Sequence, residues 1–191
     1  MKDCINKVKG GFFIPTYYNR VAAVQYARTW WNSKNPNYPA FSDDCTNFIS
    51  QCLRAGGAPM TGAPNRAKGW WITDGWKGGR VAGGYHTKET WSYSWAVANS
   101  FRANLENSKS GLTATRVSSP SELEIGDVIC YDFEGDGVVN HTTIVTSMRD
   151  GVPYIHAHTI ASADRHYDYT NSYAYTPQTI YYYYKINDVF N

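Results

Sequence analysis

In the first half of the chain, apolar side chains recur at steps of three and four. Tyr18 to Asn32 carries Val21, Ala22, Val24, Tyr26 and Trp30 on that period without Gly or Pro, which predicts a helix ending at Asn35-Pro36. A second helix is predicted from Ser42-Asp43-Asp44-Cys45. Ser42 or Asp43 supplies its N-cap, Phe48, Ile49, Cys52 and Leu53 its apolar stripe, and Gly56-Gly57 its stop. Cys45 then lies in the first turn, on the inward face with Ile49 and Cys52. A third helix is expected over Ser94 to Asn107, where Trp95, Val97, Ala98, Phe101 and Leu105 repeat the period and Trp95 reads as core.

From Leu123 the period drops to two. Gly126 to Phe133, His141 to Ser147, Pro153 to His158 and Thr179 to Ile186 read as strands, with a turn at Gly135-Asp136-Gly137 and a hairpin signal at Asp150-Gly151. Helices first and strands afterwards is the order of an α+β domain, with N-terminal helices packed on a C-terminal antiparallel sheet. The expected organisation is an N-terminal extension, residues 1–17, before a single domain, residues 18–191. Between the second and third helices, Pro59 to Thr90 has no period and is rich in Gly, Trp and Lys. Ordered loops beyond ~15 residues tend to carry function, so Trp70, Trp71, Trp76 and Trp91 are candidate walls of a substrate cleft.

Composition changes this picture in three ways. With 42% hydrophobic and 18% charged residues, the 191-residue chain can bury a core, which excludes disordered and fibrous classes. A formal charge of +2 is too small for a dominant basic face, so no nucleic-acid partner is expected. No apolar run approaches the ~20 residues of a membrane helix, and Met1 to Lys7 lacks the apolar stretch of a signal peptide. The 16 Tyr and 7 Trp exceed what a core of this size needs, and rings with polar tips suit surfaces that bind sugars or peptides.

The four cysteines allow disulfides, a metal site or a catalytic thiol. A Cys45–Cys52 bridge is excluded if the helix forms, since seven residues at ~1.5 Å rise exceed the ~7 Å reach of a disulfide. Cys52 and Cys130 read as packed thiols. A helix N-terminus lowers a thiol pKa, while Asp43 and Asp44 raise it, so Cys45 needs a cationic partner, most simply a histidine. A two-residue Asp150-Gly151 turn would set His141 opposite Ile160, Thr143 opposite His158 and Val145 opposite His156, with His141, His156 and His158 on one face. The same residues with Cys45 are also a conceivable zinc set, but no Cys-x-x-Cys or His-Glu-x-x-His element supports it. No metal or other cofactor is expected.

At Asp44-Cys45-Thr46-Asn47-Phe48-Ile49-Ser50-Gln51, Ala55-Gly56-Gly57, Gly126-Asp127-Val128-Ile129, Asn140-His141-Thr142 and His158-Thr159, the chain resembles the bacterial "putative amidase" domain family. That family is similar to the papain-like superfamily of NlpC-type and CHAP-type cell-wall hydrolases, and the likeness runs from about Tyr18 to about Ile186. The resemblance implies a papain-like fold, Cys45 as nucleophile, His141 as base and a polar residue on the next strand as orienter. His158 is favoured for the last role, with His156 also allowed. Asp44 and Asn47 are candidates for supporting or substrate-contacting roles. The implied activity is hydrolysis of an amide in peptidoglycan or another peptide, by a secreted or phage-released enzyme. Two other classes stay open: an effector or toxin domain acting on a protein amide, and a non-enzymatic carbohydrate- or peptide-binding module.

Overall fold

In the computed structural model, which describes residues 15–73 and 91–191, the first predicted helix forms as α1, Arg20–Trp30. Asn19 starts it by accepting the Ala22 N–H at 2.9 Å. Its buried face is Ala23, Val24 and Ala27, side chains small enough to let it lie close against the next helix. That helix, α2, runs Cys45–Ala55, with Cys45 as its first residue. The cap position belongs to Asp44 rather than Ser42 or Asp43, and the Asp44 side chain makes no cap bond.

The predicted stripe of α2 is an understatement, because every residue from Cys45 to Leu53 is buried. Burying an unpaired polar group costs about 1–3 kcal/mol, so the polar positions need partners. They have them. The Thr46 hydroxyl lies 3.2 Å from that of Thr142, and the Asn47 amide donates to the Pro39 carbonyl at 2.8 Å and accepts from Trp95 Nε1 at 2.8 Å. Ser50 donates to the Trp95 carbonyl and accepts from Trp70 Nε1, while Gln51 accepts from the Tyr26 hydroxyl. The helix ends at the glycine pair: the Ala58 N–H reaches back to the Leu53 carbonyl, and Gly57 takes φ +90°. A Cβ at Gly56 would meet the Tyr18 ring at 2.4 Å.

The third predicted helix is two, α3 (Tyr93–Ala96) and α4 (Ala98–Asn107), separated by an extended Val97. The Trp95 carbonyl that a continuous helix would use is occupied by Ser50, and Val97 is 47% exposed rather than core.

Two short strands, β1 (Thr16–Tyr17) and β8 (Val189–Phe190), pair with each other. The main sheet is wholly antiparallel, in the order β2 (Ala114–Val117), β7 (Ile180–Ile186), β3 (Val128–Asp132), β4 (His141–Arg149), β5 (Val152–Ala157) and β6 (Ser162–His166). β2 and β6 are additions to the predicted strands. One face presents Val128, Cys130, Ile144, Tyr182 and Tyr184 to Phe48, Ile49, Leu53 and Phe101 of the helices. The other carries Ile129, Tyr131, Val145, Ile155 and Ala157, covered by Tyr169 from the loop before β7. The fold is therefore α+β, as the sequence order predicts.

Gly126-Asp127 is a structural joint. The buried Asp127 carboxylate receives Arg20 Nη1 at 2.6 Å and the N–H groups of Glu124 and Ile186 at 2.9 Å each, tying α1 to β3 and β7. Gly126, at φ +86°, accepts the Tyr18 hydroxyl on its carbonyl. These bonds give that stretch of the resemblance a packing role.

The hairpin begins as predicted and then departs. Asp150 and Gly151 take φ 50° and 78°, closing Arg149 on Val152, Met148 on Pro153 and Ser147 on Tyr154. The register then shifts between Val145 and Ser147, so that Val145 faces Ile155 and Ile144 faces His156. A one-residue shift exchanges the faces of all that follows. The expectation of three histidines on one face is overturned: His156 and His158 face the helices, whereas His141 shares the opposite face with Thr143 and Val145.

Candidate active site

α2 carries Cys45 to the end of β4. Its thiol is 3.7 Å from the Thr46 hydroxyl, which in turn lies 3.2 Å from that of Thr142, the residue that follows His141. Cys45 is 7% exposed, and burial pushes its pKa up against the opposing pull of Thr46 and Thr142. The helix start alone therefore does not produce the lowered thiol that the sequence suggests.

His141, first residue of β4, is enclosed by aromatic rings: Tyr131 at 5.6 Å, Phe133 at 5.9 Å and Tyr169 at 5.2 Å between centroids. Burial, with the positive charge of Arg165 added, lowers its pKa to about 3, so the ring is neutral at pH 7. Its Nε2 lies 2.9 Å from the Tyr169 hydroxyl. Tyr169 is itself pushed up to about 12, chiefly by burial, with Arg165 and Ser162 pulling the other way and Cys45 near enough to add to the rise. Imidazole and phenol thus form a neutral pair at the start of β4, beside Thr142, whose hydroxyl faces that of Thr46 in the Cys45 turn.

His158 does not orient His141. Its Nδ1 is 2.8 Å from Asp44 Oδ2, its Nε2 is 2.8 Å from the Trp30 carbonyl, and its ring stacks on Phe48 at 4.0 Å. Both ring nitrogens are therefore taken by oxygen partners. Asp44 also receives the Phe41 N–H at 3.1 Å and the Asn47 amide at 2.9 Å. Burial alone would raise the Asp44 pKa, but the bonds from His158, Asn47 and Phe41 hold it below the usual carboxylate range. The Asp44 N–H is bonded to the Thr159 hydroxyl. Asp44, Asn47 and His158 are therefore a clasp joining the end of α1, the start of α2 and the turn after β5, and the clasp fixes where Cys45 sits. His156 is also occupied elsewhere, with Nδ1 2.7 Å from the Thr146 hydroxyl and its ring edge-on to Trp31. With His141 on the other face, the four candidate zinc residues do not converge; among the described residues no His, Cys, Asp and Glu cluster could hold a metal ion.

The aromatic cleft is corrected in the same way. Trp70 and Trp71 are fully buried: Trp70 stacks on Trp95 and donates to Ser50, and Trp71 Nε1 donates to the Asn65 and Lys68 carbonyls. Trp70 is thus a core residue, whereas Trp71 borders a hollow formed with Met60, Pro64 and Ile72. Trp91 is half-buried, edge-on to Phe41 at 5.2 Å, with Arg66 over its ring. Trp76 lies outside the described residues, as does Cys4. A hollow of about 250 Å³ adjoins the clasp, lined by Trp31, Lys34, Ser42, Asp44, His158 and Ile160. A larger one, about 610 Å³, lies away from Cys45 between α4 and the Thr61–Gly69 loop.

Tyr169 is the site residue that sequence reasoning misses. It stands 28 positions from His141, in a turn at φ 59°, where no period marks it.

Residues 17–184 match a family described as "Putative amidase domain". The chain belongs to that family. Among curated proteins, this amidase-domain chain is similar to "Uncharacterized protein YhbB" of Bacillus subtilis, 52% identical over 172 residues that make up 90% of this chain and 51% of that protein. It is also similar to "Uncharacterized protein YjcM" of the same organism, 30% identical over 149 residues, 74% of this chain and 31% of that protein. The amidase-domain chain thus spans about half of the first relative and about a third of the second. No solved structure matches it.

Proposed function

We propose that this chain is a cysteine-dependent amide hydrolase of papain-like type, acting on peptide amides of the bacterial cell wall. The observation that carries the reading is the approach of the Cys45 turn of α2 to Thr142 at the start of β4, next to His141, which is held through Nε2 by Tyr169. With Nε2–H donating to Tyr169, Nδ1 is the nitrogen free to exchange a proton with the thiol. Because burial keeps both partners neutral, proton transfer to Nδ1 accompanies attack of Sγ on the carbonyl carbon. The first-turn N–H of Cys45 stabilises the oxyanion. His141 returns the proton to the leaving nitrogen as the C–N bond breaks, giving a thioester and a free amine. A water deprotonated by His141 then attacks the thioester, releasing the acid and restoring the thiol. The cell-wall substrate is supported by the resemblance of the Asp44–Gln51, His141-Thr142 and His158-Thr159 stretches to the "putative amidase" domain family, which in turn resembles NlpC-type and CHAP-type cell-wall hydrolases.

Two measurements test this. Cys45→Ala is expected to abolish amide cleavage and retain the far- and near-UV circular dichroism of the parent; full activity in that variant would end the nucleophile assignment. Incubation with purified peptidoglycan is expected to release fragments with new amino termini by mass spectrometry. New amino groups from unfolded proteins but from no peptidoglycan type would move the substrate to a protein amide.

A further inference from the structure

Arg165 is a cation placed beside a reaction that generates another cation. It stands on β6 opposite Ile155, on the sheet face that holds His141. Its guanidinium lies 4.0 Å from the Tyr169 ring centroid, and Tyr169 in turn holds His141 Nε2. The other partners of Arg165 are neutral: Nη2 donates to Asn171 Oδ1 at 2.7 Å and Nη1 to the Ser162 hydroxyl at 3.5 Å. Nε is buried with no partner, and among the described residues no carboxylate pairs with this side chain. Two other half-buried arginines are paired with carboxylates, Arg20 with Asp127 and Arg102 with Glu106, whereas Arg66, like Arg165, lies over aromatic rings. A half-buried guanidinium with no carboxylate partner is costly, and the Nη hydrogens not spent on Asn171 and Ser162 can still meet a carboxylate.

The position makes the missing anion matter to the chemistry. When His141 takes the thiol proton, it becomes an imidazolium next to the Arg165 charge, and that repulsion raises the barrier. A negative group seated on Arg165 removes the repulsion at the moment it is felt.

We propose that Arg165 is the docking point for a carboxylate carried by the substrate, so that the preferred substrate is an acyl peptide with a free carboxylate near the scissile amide. The inference rests on the Cys45–His141 reading for its effect on rate, but the docking itself requires no turnover. An anion on Arg165 both holds the substrate and strengthens His141 as a base, so substrates lacking it lose in affinity and in turnover alike.

The test pairs acetyl-dialanine with its C-terminal amide. For binding, the chain with Cys45→Ala is titrated with each probe by NMR, alone and combined with Arg165→Gln or Arg165→Lys. The acid is expected to bind about tenfold tighter than the amide, with the gap shrinking to about twofold in Arg165→Gln and partly kept in Arg165→Lys. For turnover, the chain with its thiol intact is given longer peptides ending in the same two groups. Arg165→Gln is expected to slow cleavage of the acid form about tenfold or more and to leave the amide form equal or faster. A merely structural arginine would slow both forms alike, and that result overturns the proposal. So does equal binding of the two probes to the chain carrying Arg165, a comparison that stands even if Arg165→Gln fails to fold. Preferential acid binding by a chain that cleaves neither peptide would uphold the docking site and sink the hydrolase reading; cleavage without acid preference would do the reverse.

Discussion

His141 and His158 lie on opposite faces of one sheet, and their surroundings give them opposite chemistry. His141 is enclosed by Tyr131, Phe133 and Tyr169 with a cation nearby, so burial strips its proton and leaves a neutral base. His158 lies between a carboxylate and a backbone carbonyl and is flattened on Phe48, so both its nitrogens are committed to holding three segments together. A histidine with a nitrogen to spare can do proton chemistry; one with none is a fastener. The paired motifs His141-Thr142 and His158-Thr159 look alike in sequence and differ in this one respect.

The largest effect that can break the comparison comes from removing each ring. His141→Gln is expected to cost about a thousandfold in turnover, within the usual range for a lost general base, with a smaller change in unfolding midpoint than His158→Ala. His158→Ala is expected to cost about 3 kcal/mol of stability in urea unfolding, because it leaves the buried Asp44 carboxylate short of its main partner. The reverse allocation, with turnover lost at His158 and stability at His141, would exchange their roles.

Acid provides a second contrast. The folded pKa of His141, about 3, lies below its ordinary 6.5, so the unfolded chain binds the proton more readily. Its stabilising contribution is complete above about pH 6.5 and is lost as pH falls toward 3, up to about 3 kcal/mol by pH 4. Urea titrations between pH 7 and pH 4 should show this slope flattened in His141→Gln.

A smaller effect sharpens the base assignment. Tyr169→Phe removes the oxygen on His141 Nε2 and should lower kcat about 10- to 100-fold, as supporting hydrogen bonds do, while costing about 1 kcal/mol of stability. Unchanged kcat would leave His141 oriented by its aromatic enclosure alone. Smallest is Trp70→Phe, which removes the donor to the Ser50 hydroxyl and should cost about 1 kcal/mol with KM unaltered, since Trp70 belongs to the core. A raised KM would return Trp70 to the substrate cleft.

What could be read from the sequence divides along physical lines. α1 and α2 were legible because period, caps and glycine stops all act within a few residues. The Asp150-Gly151 turn was legible because its backbone needs positive φ. The bulge between Val145 and Ser147 was not: nothing in Val-Thr-Ser marks Thr146 as the extra residue of β4. That slip alone moved His141 off the face of His156 and His158. The break at Val97 escaped because Ser50, far away in sequence, claims the Trp95 carbonyl. β6 reads Ser-Ala-Asp-Arg-His, too polar to stand out, because it is a half-exposed edge strand. Of the candidate site, Cys45 and His141 were visible as types at suggestive positions, whereas Tyr169 and Arg165 acquire meaning only when a loop and an edge strand fold over the same ring.

The all-round burial of α2 bears on how the chain would breathe. A helix covered on every side, with its polar side chains bonded to neighbours, has no solvent-facing seam along which to open locally. Its central amide protons should therefore exchange with deuterium only as the whole chain unfolds, among the slowest in the molecule. Cys52, in that helix, and Cys130, in the strand beneath it, should resist thiol reagents on the same clock. The proposed nucleophile thus stands on the part of the molecule that moves last, and any adjustment needed to admit a substrate falls to the elements around it.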